Sequence, residues 1–194
     1  MELQKINFKI FAAEPDGVAL TEFIPIFHSW IQATDGDYHD VADYGHMRGG
    51  PGILLLAHEA NIALDETGNR RGLLYNHKQP LAGSNGEKLR RVLQAALETC
   101  RKIEDEPSLK GRFGFSGSEA LFLVNDRLLA PNTEETFNEL RPDLESLAGK
   151  LYPGSPFTLH REPDCGRRFS VHIKAEGAFD VATLLRNLGA AGSF

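Results

Sequence analysis

YHDVADYGHMRGGPGILLLAHEANIAL, residues 38–64, is the stretch whose reading decides the architecture. Val41, Ile53, Leu54, Leu55, Leu56 and Ile62 mark extended, partly buried chain, and Arg48-Gly49-Gly50-Pro51 between them is turn chemistry. The spacing predicts strands over about 38–46, 52–64 and 70–77, with a second turn at Glu66-Thr67-Gly68-Asn69. Three consecutive strands with no helix between them imply an antiparallel meander.

Outward from this meander, Ile6, Phe8 and Ile10 alternate in a first strand over 5–12, followed by turn residues Pro15-Asp16-Gly17. A helix is expected over about 18–33, with Leu20, Phe23, Ile24, Phe27, Trp30 and Ile31 as its apolar stripe. Ser84 and Glu87 form a capping box for a second helix. Its face carries Leu89, Val92, Leu93, Ala96, Leu97, Cys100 and Ile103. A weak strand at 112–115 and an apolar strand at 119–124 follow. Asn132 and Glu135 open a third helix, in which Pro142 is expected to force a kink or a split. Strands at 157–161 and 168–175 precede a last helix over about 180–188, stopped by Gly189, and a frayed tail. The class is α+β: an antiparallel sheet with helices packed on one face. The order β-α-β-β-β-α then β-α-β-β-α suggests two ferredoxin-like units, 1–106 and 107–194, side by side or sharing one sheet.

The same central stretch carries the candidate chemistry. Imidazoles and carboxylates bind metals and move protons near neutral pH. With two-residue turns at both connections, strand parity puts His39, Asp43, His58 and His77 on one face of three adjacent strands. Such a set suits a divalent transition metal, with His58 and Asp43 as its core, or an Asp-oriented His for proton transfer. A first turn with an odd number of residues flips the parity, and His58 then meets Asp40 and His46. The plain alternatives are a satisfied core histidine for His58 and surface exposure for His39 and His46. His160 and His172 fall on polar strand faces and are expected to meet solvent. Asn125-Asp126-Arg127 with Asn132 reads as a turn and cap or as a ligand site at a strand end. Gly49-Gly50-Pro51-Gly52 matches no phosphate-binding motif.

Composition bounds the rest. The 194 residues are 41% hydrophobic and 25% charged, ordinary for a globular chain. A net charge of −6, with Arg70-Arg71, Arg90-Arg91 and Arg167-Arg168 as its basic doublets, argues against nucleic-acid binding. No secretory pattern or bilayer-spanning run is present, and Cys100 and Cys165 lack partner motifs, so a reduced, cytoplasmic setting is expected. The leading expectation is an acidic interaction or assembly module with a protein partner, a homodimer included. The alternatives are a small-molecule or metal-binding protein, an enzyme among the options, using the central cluster, and a tetrapyrrole binder with His58 as axial ligand. The residues themselves specify no cofactor.

Overall fold

The structure is a computed structural model describing residues 1–14 and 17–190. The turn expected at Pro15-Asp16 and the tail from 191 onward lie outside the described residues. The α+β reading holds. Eight strands form one antiparallel sheet, β1 Ile6–Ala12, β2 Tyr38–Tyr44, β3 Gly52–Ala57, β4 Ala60–Asp65, β5 Gly72–His77, β6 Phe115–Val124, β7 Phe157–Arg161 and β8 Ser170–Ala175. Their order across the sheet is β2-β3-β4-β5-β1-β6-β8-β7. Four helices, α1 Phe23–Ala33, α2 Asn85–Glu104, α3 Glu134–Leu151 and α4 Val181–Ala190, accompany them.

The helices pack on one side only. Phe8 and Ile10 of β1, Leu55 of β3, Leu73 of β5, Phe122 of β6 and Ile173 of β8 join Leu93, Leu97, Leu144 and Leu184 of the helices in a single core. The apolar face read for α2 is buried throughout, and Ser84 caps it, its hydroxyl accepting from the Glu87 amide while the Glu87 carboxylate accepts from the Ser84 amide. Each fully buried aliphatic side chain of that face stabilises by ~1.5–3 kcal/mol, far above its helix propensity.

The chain runs β-α-(four-strand meander)-α and then β-α-(two-strand meander)-α. In each half the first strand pairs with the last strand of the meander, β1 with β5 and β6 with β8. The halves meet where β1 pairs antiparallel with β6, at Phe8 opposite Phe122, whose rings lie 5.4 Å apart. Neither half completes the β-α-β-β-α-β order of a ferredoxin-like unit.

Three local expectations differ from the structure. The segment 52–64 is two strands, not one, because His58 and Glu59 form a tight turn between β3 and β4. The His58 amide donates to the Asp37 carbonyl, and the Lys78 amide donates to that of Glu59, which pin the turn to both neighbours. The segments at 112–115 and 119–124 are one strand, β6. Helix α3 runs unbroken through Pro142, capped by Thr133 rather than Asn132. Losing one helical bond at a proline costs ~3 kcal/mol, which burial of Phe137, Leu140, Leu144 and Leu147 offsets. Gly189 lies inside α4 and does not end it.

Candidate functional site

The expected cluster is not assembled. The connection between β2 and β3, residues 45–51, has an odd number of residues, so Asp43 lies opposite Ile53 and Asp40 opposite Leu56. His39 is exposed in an irregular stretch of β2, Asp43 is exposed and accepts from the Gly45 amide, and His46 is exposed in the connection. His58 is exposed in its turn, not on the apolar face expected of it. His77 is buried at the end of β5, where its Nε2 has no hydrogen-bond partner. Strands β3 and β4 separate β2 from β5 by ~14 Å across the sheet, and Asp43 lies in line with Leu73 rather than His77, so the offset along β5 puts Asp43 and His77 roughly 20 Å apart. The extra strand boundary at His58-Glu59 is the cause. Among the described residues, no three His, Cys, Asp or Glu side chains converge to hold a metal ion.

Charged and titratable side chains gather instead on the sheet face without helices. The second side of β1 carries Asn7, Lys9 and Phe11, which sit beside Leu74 of β5, Leu121 and Leu123 of β6 and His172 of β8. All of these but Asn7, together with Pro51, Asp65, Thr67, Gly68, Arg70 and Arg168, enclose a cavity of about 410 Å³. Its floor is apolar, made by Leu74, Leu121, Leu123 and the ring of Phe11.

Two charged networks stand on that floor. The Lys9 ammonium donates to Asp65 Oδ2 at 2.5 Å and to the Thr67 carbonyl at 3.1 Å. Asp65 also accepts from the amide and the hydroxyl of Thr67, so the loop after β4 presents it fully bonded. Both partners are nearly inaccessible, with side chains 4% exposed. An ammonium has three hydrogens, and two are taken. Burial pushes the Lys9 amine below its ordinary range, and the Asp65 carboxylate partly restores it.

The second network begins at Arg70, whose guanidinium lies 3.8 Å from the centre of the Phe11 ring. It donates to the Glu119 carboxylate, which in turn meets His172 Nε2 at 2.9 Å. Burial alone would raise the Glu119 carboxyl, but the hydrogen bond and charge of Arg70, with those of His172, outweigh it and hold it below the usual carboxylate range. Burial lowers the His172 imidazole, and Glu119 opposes that only in part. A neutral imidazole oriented by a carboxylate at the wall of an apolar cavity is the arrangement of a general base. Arg168 completes the rim. It donates to Asn125 Oδ1 at 2.5 Å and makes no ion pair with any described carboxylate.

The sequence reading placed His172 on a solvent-facing side and passed over Lys9, Asp65, Arg70 and Glu119. The one local signal was Lys9 itself, a cation between Phe8 and Ile10 in the strand whose both sides are buried. Asn125-Asp126-Arg127 is a turn, with Asp126 Oδ1 accepting from the amides of Leu128 and Leu129, while Arg127 is exposed. Asn132 is buried, donating to the carbonyls of Glu162 and Asp164. Comparison with family models, with curated proteins and with solved structures gives no match. No helix of the described residues is long and apolar enough to cross a membrane.

Proposed function

We propose that this protein binds a small organic anion on the helix-free face of its sheet, with the apolar part of the ligand on Leu74, Leu121 and Leu123 and its charge at Arg168. The single observation that carries this reading is Arg168, a guanidinium without a carboxylate partner among the described residues, at the rim of an apolar cavity. Lys9, Arg70 and Arg168 line the cavity with Asp65 as the one carboxylate among the described lining residues, a local excess of positive charge in a chain of net charge −6. A concave apolar lining with a few convergent polar groups is the usual form of a small-molecule site, and a guanidinium fork matches carboxylate or phosphate. His172, oriented by Glu119, is the group placed to accept a proton from a bound ligand.

Calorimetric titration with benzoate, octanoate and phenyl phosphate tests the reading. Saturable one-to-one binding, lost in Arg168→Ala, supports it. Absence of saturation by all three at millimolar concentration rejects it. Self-association is a second reading, favoured by the exposure of Tyr44, the last residue of β2 at the sheet's edge, and of Met47 just beyond it. Light scattering on Tyr44→Ser/Met47→Ser alongside the parent protein separates the two.

A further inference from the structure

On the opposite, helix-bearing side, a cleft of about 440 Å³ opens between α2 and the ends of β3, β4 and β5. It lies apart from the cavity described above and shares no lining residue with it. Its base is apolar, formed by Ala57, Ala60, Ile62 and Ala95, and three carboxylates, Asp37, Glu59 and Glu98, stand around it. Carboxylates on an acidic chain are ordinary. Two further observations distinguish these.

The first is Tyr75. It is 7% exposed, lines the cleft, and its hydroxyl forms no hydrogen bond with any described residue. Burial, with the negative charges of Glu59 and Glu98 nearby, pushes this phenol up to about 12, so it is neutral and able both to donate and to accept. The ring is buried while the hydroxyl opens into the cleft, where a polar ligand can take the place of its water. The second is Lys102. The chain lays its own ammonium 3.9 Å from the centre of the Trp30 ring and 4.9 Å from that of Tyr38, with a 3.4 Å contact to the Tyr38 hydroxyl. One end of the cleft is therefore already built to hold an alkylammonium by cation–π attraction and carboxylate charge.

We infer that the cleft between α2 and the β3–β4 turn is a second binding site, for a primary organic ammonium whose nitrogen is held by Glu59, Glu98 and the Tyr75 hydroxyl and whose apolar body rests on Ala60 and Ile62. Lys102 at the far end limits the site to one cationic group. The exposed ring of His58 stands at its mouth. This site is independent of the anion reading, and each can fail alone.

Benzylamine is the probe, with benzyl alcohol as its neutral counterpart of nearly equal shape. Titration followed by calorimetry and by amide chemical shifts, at low ionic strength, is expected to show saturable one-to-one binding of benzylammonium and none of the alcohol. The pair Glu59→Gln/Glu98→Gln is expected to weaken binding by about tenfold or more, while Glu145→Gln, on the outer face of α3, leaves it unchanged. Tyr75→Phe is expected to weaken it about threefold or more without lowering the urea midpoint, because the hydroxyl it removes has no hydrogen-bond partner among the described residues. Equal binding of the alcohol, indifference to the Glu59/Glu98 pair, or no saturation below about 10 mM overturns the inference.

Discussion

Leu74 and Tyr75 are consecutive on β5 and point into different cavities: Leu74 forms part of the floor of the helix-free face, and Tyr75 lines the cleft beneath α2. The pleat of one strand thus lines two separate pockets, for which opposite ligand charges are proposed. Leu74→Ala is expected to weaken benzoate or octanoate binding by roughly fivefold, through lost apolar contact, and to leave benzylamine affinity unchanged. Tyr75→Phe is expected to do the reverse. Calorimetry on the two variants with both ligands checks the separation.

The Lys9–Asp65 pair is held by Thr67 inside a low-dielectric floor, so its two members are not equivalent to two surface charges. Asp65→Asn leaves a buried ammonium without its counter-charge and is expected to cost ~3–5 kcal/mol in urea unfolding. Lys9→Met with Asp65→Leu removes both charges and is expected to fall within ~1–2 kcal/mol of the parent, in either direction. An Asp65→Asn variant as stable as the parent would show that water reaches this ammonium.

Acid is expected to destabilise the protein through its histidines. Burial lowers both the His77 and the His172 imidazoles, with Glu59 and Glu119 respectively opposing the shift. The folded state therefore takes up these protons at lower pH than the unfolded chain does. Stability is complete above the ordinary imidazole value of 6.5 and is lost as pH falls below it toward the folded values. Glu119, held below its ordinary value, adds a loss of the same sign at more acidic pH. Melting temperatures measured from pH 7.5 to 5 in His77→Gln/His172→Gln should show a flatter dependence than in the parent.

Two glycines give opposite outcomes on replacement by alanine. Gly52 opens β3 with φ of 63°, and a Cβ there would stand 2.0 Å from the Leu64 carbonyl oxygen. Gly52→Ala is expected to cost ~2 kcal/mol or more, from backbone strain and the displaced strand. Gly149 lies within α3, where an added Cβ meets nothing within 4 Å. Gly149→Ala is expected to stabilise by ~0.5–1 kcal/mol. Thermal or urea denaturation of the two variants decides both.

Local pattern made most of the fold legible. Alternation marked β1 and β8, and the Ser84–Glu87 box and its seven-residue face marked α2. The meander was visible, but the turn at His58-Glu59 was not. Tight two-residue turns usually advertise themselves through Gly, Asn or Asp at positive φ. Outside glycine, only Lys5 and Asn69 among the described residues have positive φ, so this turn leaves no compositional trace. The candidate site was hidden for a different reason. Arg70, Glu119 and His172 meet because β1 lies between β5 and β6, with β8 beyond, an order that no local period encodes. The histidines clustered along the chain at 39, 46 and 58 were dispersed by the same pairing.

Strand β1 has a consequence for how the chain reaches this state. It occupies the middle of the sheet, yet its two partners, β5 and β6, lie roughly 65 and 110 residues downstream. Until both have arrived, Phe8 and Ile10 have no complete shelter, and β1 presents bare amides and carbonyls on each margin. Closing such wide loops before any reward is collected makes refolding slow, with the entropy of closure as its barrier. Kinetically, β1 is expected to be a keystone, set late.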